Sequence, residues 1–173
     1  MCSSYPHPAC QELASLIAGC DFQRTRSFGP GGQHRNKVES AVVVTHKATG
    51  ISGQASERRS QHENRRKAIA RLRLNLAIGT RTEPEKLVNI SPSSLWKSRC
   101  RGGRIGISSE HDDFPAILTE GLDQLYANEW DAARAAKSLA CTTSQLIKLI
   151  KKEPAAFELV NRERAKRTLK KYR

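Results

Sequence analysis

The chain has 173 residues, of which 38% are hydrophobic but only 5% aromatic, which suits one ordinary domain or two small ones and excludes one large core. Thirty Lys and Arg against seventeen Asp and Glu give a formal charge of +13, an excess that calls for a polyanionic partner. No apolar run approaches the roughly 18 residues of a spanning helix, and MCSSYPHPAC has neither the layout of a secretion signal nor the arginines of a transit peptide, so nucleic acid in the cytoplasm is expected, and no membrane.

Three parts follow one another. Residues 9–78 read as a mixed α+β unit. PACQELASLIAG carries Leu13, Leu16 and Ile17 at helical spacing. Asp21 to Ser27 is a short strand candidate, and AVVVTHK and ISGQASE are two more. ATG separates the last two, with Gly50 free to take the left-handed turn position. Ser60 and Glu63 have capping-box spacing, so a helix is predicted from about Gln61. Its stripe of Ile69, Leu72 and Leu76 should lie on the hairpin. The opposite face is basic: Arg58, Arg59, Arg65, Arg66, Lys67, Arg71 and Arg73 stand against Glu57 and Glu63.

Residues 79–110, punctuated by glycines and prolines, read as a connector with one short strand, RIGIS. Residues 111–173 turn helical. Pro115 suits a first helical turn, and Leu118, Leu122 and Leu125 mark one face. Asp131 can cap AARAAKSLA, CTTSQLIKLI follows, and Thr142 with Gln145 within it repeats the capping-box spacing. A small-residue helix, a tight polar turn and an apolar helix match a helix-turn-helix outline, which any helical hairpin with alanines at its crossing also shows. Pro154 starts a last helix ending in NRERAKRTLKKYR, where seven basic residues face one acidic one. That end is either a solvated terminus or an anchor for RNA phosphate.

The five cysteines form no C-x-x-C pair, which argues against a zinc site or a disulfide framework. No cofactor or metal-ligand set is read.

Chemistry concentrates in SFGPGGQHRNKVES, Ser27 to Ser40. Consecutive glycines open backbone angles closed to other residues and leave room for a bulky ligand. Gln33 adds a backbone N–H, an amide donor and a carbonyl acceptor in one small volume. Such a group can hold a carbonyl, an oxyanion and a water. With no nucleophile and no matched general base, hydrolysis here would rest on positioning and electrostatics.

GPGGQHRNKVESAVVVTHKATGI followed by ERRSQHENRRKA resembles the catalytic domain of class I peptide chain release factors and of the short ribosome-rescue hydrolases that share it. The likeness runs from about Phe22 to Leu76. It implies a β-hairpin-containing sheet on a helix with an exposed GGQ loop, followed here by a small all-α, helix-turn-helix-like unit. It also implies that the loop enters the peptidyl-transferase centre and promotes attack of water on the peptidyl-tRNA ester. Carried over, Gly31 and Gly32 permit the backbone geometry, and the Gln33 N–H stabilises the tetrahedral intermediate or the leaving 3′ oxygen. The Gln33 side chain helps place the water and excludes bulkier nucleophiles. Gln33 is also a candidate for N-methylation by a glutamine methyltransferase.

The implied partners are large-subunit rRNA of the ribosome and peptidyl-tRNA, met by a monomer. The expected RNA contacts are Arg24, Arg26, His34, Arg35, Lys37, Arg58, Arg59, Arg65 and Arg66, with Lys166, Arg167, Lys170 and Lys171 near the end of the chain. Pro30 and Arg35 depart from the Ala and Val that long release factors often carry. Only about twenty residues precede the region of resemblance, so the family's codon-reading domains are not expected. Codon-independent rescue of stalled ribosomes is the leading expectation. A termination-type factor that senses a ribosomal state through its C-terminal unit or a partner, and a non-catalytic RNA- or ribosome-docking protein, are the alternatives.

Overall fold

Alternating side chains build the sheet. In β2 (Ala41–His46), Val42, Val44 and His46 are buried while Val43 and Thr45 are half-buried, the period of a strand with one face on a core. The computed structural model describes residues 5–25, 41–87 and 90–173, so Arg26 and the stretch from Ser27 to Ser40 lie outside the described residues, with Gly31, Gly32, Gln33, His34, Arg35 and Lys37. β2 is the centre of a three-stranded antiparallel sheet, flanked by β1 (Cys20–Thr25) and β3 (Ser52–Ala55). Phe22 stands opposite Val44, and Val44 opposite Gly53. The β2–β3 turn closes as the sequence suggests: Gly50 takes a φ of 69° and donates to the His46 carbonyl at 2.9 Å. His46 Nδ1, 2.9 Å from Thr49 Oγ1, braces the same turn.

α1 (Leu13–Ala18) precedes this sheet and α2 (Gln61–Gly79) lies across it. Ser60 Oγ accepts from the Glu63 N–H at 3.4 Å and starts α2 where its spacing predicts. Ile69, Leu72 and Leu76 are buried in one cluster with Val42, Val44 and Ala55, so the stripe meets the hairpin as expected. Helix and sheet approach closely at Gly53, where an added Cβ would fall on the Ala68 carbonyl and the Leu72 amide.

The N-terminal helix differs from expectation. PACQELASLIAG splits into a 3-10 turn, Pro8–Cys10, and the six-residue α1. Extended backbone at Gln11 (ψ 154°) and Glu12 (ψ 143°) breaks the helical path between them. Leu16 enters the core, but Leu13 is 48% exposed in the first turn of α1, so the apolar triplet is not one buried face.

Residues 79–110 hold a 3-10 turn (Pro84–Leu87), α3 (Ser94–Arg99) and a hairpin of β4 (Cys100–Arg101) with β5 (Arg104–Ile105). The segment also contributes to the core. Trp96 is buried among the C-terminal helices and donates its Nε1–H to the Leu139 carbonyl at 2.8 Å.

Those helices are α4 (Phe114–Ala127), α5 (Ala132–Ser138), α6 (Thr143–Ile150) and α7 (Pro154–Lys166). Asp131 caps α5 by accepting from the Ala133 and Arg134 amides, and Thr142 caps α6 through Gln145 N–H. Every residue of α4 from Phe114 to Leu125 is buried, because α2 packs on one side and α5 and α6 on another. A helix covered on several sides loses the polar stripe that amphipathic patterns rely on. The architecture is an α+β mixture, as the sequence implied. Among the described residues no helix is long and apolar enough to cross a membrane.

Candidate nucleic-acid interface

The sheet register locates the root of the glycine-rich stretch. β1 ends at Thr25 and β2 begins at Ala41, and these two residues pair across the ladder. The fifteen residues between them are therefore rooted at one end of the sheet. Arg24 pairs with Val42, and Val42 pairs with Ala55, so β3 also finishes at that end and leads directly into Arg58 and Arg59.

Arg58 and Arg59 are exposed on a loop that one buried side chain holds. Asn64, with no accessible surface, accepts from the Arg58 N–H at 2.9 Å and donates to its carbonyl at 2.8 Å. Asn64 was not singled out in the sequence, although its place in the first turn of a capped helix after ERRS is the available signal. Arg65, from the next residue of α2, sets its guanidinium 4.5 Å from the centroid of Phe22 on β1. Arg24, Arg58, Arg59 and Arg65 thus gather around the end of the sheet that carries the glycine-rich stretch. Arg66 is exposed as well, but it lines a different feature: an open cleft of about 650 Å³ that also includes Leu13, Arg73, His111, Pro115 and Lys152.

Two other arginines of the basic face are committed to the fold. Arg71 donates to the Gln54 carbonyl at 2.7 Å and pairs with Glu57. The Glu57 carboxyl is held below the usual carboxylate range, first by its own backbone amide and then by Arg71. Arg73 donates to the Ala9 carbonyl at 3.2 Å and to the Asp112 carbonyl at 3.0 Å, binding α2 to segments on either side.

The basic end of the chain is folded back. Buried Arg164 stacks 3.9 Å from the Tyr172 ring and donates to the carbonyls of Trp130 and Lys170. The Tyr172 hydroxyl accepts from the Ala132 N–H at 3.1 Å. Lys166 and Arg167 both pair with Glu163, at 2.7 and 3.1 Å, while Lys170 and Lys171 stand exposed on the reversed segment. The tail cluster and the cluster at the end of the sheet belong to different elements.

Near the N-terminus a buried group of Tyr5, His7 and Cys10 meets Arg81, Glu120 and Asp123. Burial pushes the Cys10 thiol up to about 12, and Cys141 likewise, so neither supplies a thiolate near neutral pH. Burial is also the chief cause raising the Glu120 carboxyl, which accepts from the Ser93 amide at 2.8 Å and its hydroxyl at 2.6 Å. The N-terminal group joins elements distant in sequence: His7 Nε2 lies 2.7 Å from Thr80 Oγ1, and Arg81 pairs with Asp123.

Residues 18–99 match the family model of the RF-1 domain. Peptide chain release factor 1 of Xylella fastidiosa (strain 9a5c) is 40% identical over 79 residues, covering 44% of this chain and 22% of the relative. Its counterpart in Methylibium petroleiphilum is 41% identical over 95 residues, 55% of this chain and 26% of the relative. That of Leptospira biflexa serovar Patoc (strain Patoc 1 / Ames) is 36% identical over 118 residues, 58% of this chain and 32% of the relative. The chain therefore spans less than a third of the length of these curated relatives. No solved structure matches it.

Proposed function

Because residues 18–99 belong to the RF-1 domain family, the catalytic-domain family of class I peptide chain release factors, we propose that this protein is a ribosome-dependent peptidyl-tRNA hydrolase that rescues stalled ribosomes without reading a codon. The carrying observation is the Gly31-Gly32-Gln33 triplet inside the matched segment, rooted on the paired Thr25 and Ala41.

In this reading Gly31 and Gly32 bring the backbone against the 3′ end of the tRNA without a Cβ in the way. The Gln33 N–H donates to the oxygen that gains charge as water attacks the ester, and its side chain holds the water. The protein supplies no covalent nucleophile, so the rate gain comes from placement and from a donor aimed at the transition state. Arg24, Arg58, Arg59 and Arg65 would clamp rRNA phosphates around the loop. Lys170 and Lys171 would add contacts elsewhere, and Gln33 would be the site of any methylation.

Codon independence is favoured by the chemistry of these contacts. Lysine and arginine side chains on exposed surface suit phosphate, which is alike at every codon, whereas reading a codon requires contacts to base edges. Peptide release measured on three ribosome complexes tests the proposal. They carry peptidyl-tRNA with no mRNA in the A site, with a stop codon there, or with a sense codon there. Release from the first is expected. Release from the stop-codon complex alone would assign a termination role, and release from none would leave a docking protein.

A further inference from the structure

The β4–β5 hairpin and α6 run side by side. The Thr142 N–H donates to the Gly103 carbonyl at 3.3 Å, the Ile105 N–H donates to Gln145 Oε1 at 3.3 Å, and Lys152 Nζ donates to the Ile107 carbonyl. Residues 103–107 therefore follow one flank of α6 from its first turn to its end. Lys148 lies on that flank, three residues after Gln145 and four before Lys152. Gly102 and Gly103, at φ of 56° and 74°, make the tight tip between the strands.

The charge along this track is one-sided. Residues 94–109 and 132–152 together hold nine Lys and Arg and no Asp or Glu. Some are engaged: Arg99 pairs with Asp113 and Arg134 with Asp131. Arg101, Arg104 and Lys148 are exposed and have no acidic partner among the described residues. Arg101 and Arg104 are also direct cross-strand partners. Like charges placed opposite each other weaken a two-stranded ladder. The hairpin nevertheless holds two guanidinium groups together on one face, and the α6 helix beside it carries the exposed Lys148.

We propose that the RGGR hairpin tip and the adjoining flank of α6 form a second RNA-binding surface, which grips the phosphate backbone through Arg101, Arg104 and Lys148. Arginine forks match phosphate in two-pronged fashion, and a phosphate run relieves the repulsion between the paired guanidinium groups. The glycine tip lets the hairpin backbone approach a strand without side-chain obstruction. An anionic membrane is a poorer partner, since interfacial binding also needs apolar side chains to insert. The exposed large hydrophobic side chains among the described residues are Leu13 and Leu169, neither of them on this track. The choice of RNA over DNA rests on the release-factor reading above.

The test uses the full chain and a fluorescein-labelled RNA hairpin, with affinity measured by anisotropy across a salt series. Arg101→Gln/Arg104→Gln/Lys148→Gln should bind at least roughly tenfold more weakly at low salt. Its log–log salt slope should flatten by about two, since each phosphate left without its cation removes about 0.7–0.9. Lys47→Gln/Lys86→Gln removes exposed lysines already paired with Asp21 and Glu83, and should bind much like the parent. Thermal unfolding checks that each variant folds, and Arg104→Gln alone should flatten the slope by about 0.7–0.9 if the triple variant does not fold. Binding to the RNA hairpin is read without ribosomes or peptidyl-tRNA, so failure here is separable from failure of the catalytic proposal. An unchanged slope in a folded triple variant, an equal loss in the lysine control, or tighter binding to duplex DNA of the same sequence would overturn the proposal.

Discussion

Arg81 places Nη1 3.1 Å from Oδ1 of Asp123, a carboxylate in the middle of α4 with no exposed surface, and the same oxygen accepts from the Thr82 N–H at 3.2 Å. The pair ties the segment that leaves α2 to the centre of the C-terminal helices. Arg81 also donates to the carbonyls of Ala77 and Ile78 at the end of α2. Removing one partner of a buried ion pair strands the other charge and costs about 3–5 kcal/mol.

Arg81→Ala should therefore lower the stability of the sheet-containing part and the helical part together. Calorimetry of the parent and of the variant should show one transition, shifted down in the variant. Two separated transitions, with only one of them moved, would mean that the two parts fold independently.

Gly53 gives a sharper local test. Its φ is ordinary, so conformational freedom is not the issue; the obstacle is the backbone of α2 at Ala68 and Leu72. Neither a carbonyl nor an amide of a packed helix can turn aside as a side chain can. Gly53→Ala should destabilise by about 1–3 kcal/mol or more, whereas Gly102→Ala, with open space around its Cβ, should lose only what its positive φ costs. Equal midpoints in urea for the two variants would contradict this packing.

Acid should weaken the fold through His7. Its Nδ1 accepts from the Ala9 N–H at 3.1 Å, so Nε2 carries the proton and faces Thr80 Oγ1 at 2.7 Å, a neutral tautomer. Burial lowers its pKa, opposed by Asp123 and the Thr80 carbonyl and reinforced by Arg81. The unfolded chain then binds a proton more readily than the folded one. The stabilisation is complete above the unfolded value of about 6.5 and is lost as pH falls from there toward the lower folded value. His7→Gln cannot titrate, so its unfolding free energy should depend less on pH than the parent's across that window. Parallel curves for the two proteins would remove His7 as the cause.

Local signals in the sequence located the elements well. Ser60 with Glu63, Thr142 with Gln145, and Asp131 each begin a helix where their spacing says, because a cap is decided within four residues. Features that depend on a distant element were hidden. The helix was expected on the hairpin, but nothing around Gly53 says that the backbone of Ala68 and Leu72, fifteen and nineteen residues on, will press against that one glycine. Trp96 sits in what reads as a connector, and its burial depends on Leu139. Leu13 fits a helical stripe but falls beyond what the sheet covers. Among the arginines of the basic face, charge alone could not separate Arg58 and Arg59 from Arg71 and Arg73, since each of the latter two is consumed by carbonyls brought in from elsewhere. The Gly31-Gly32-Gln33 reading rests on adjacent residues alone and lies outside the described residues.

Peptide release by Gly32→Ala tests the central claim most directly. In the proposed mechanism the substitution would add one methyl where the tRNA end approaches and would displace the Gln33 N–H that stabilises the transition state. Loss of one such donor costs on the order of 10²–10³ in rate. From ribosome complexes with an empty A site, Gly32→Ala should release peptide at least that much more slowly than the parent while binding the ribosome comparably. Gln33→Ala should lose less, because it keeps the backbone donor, and should let small amines compete with water. A Gly32→Ala protein that releases peptide at the parental rate would contradict the hydrolase assignment.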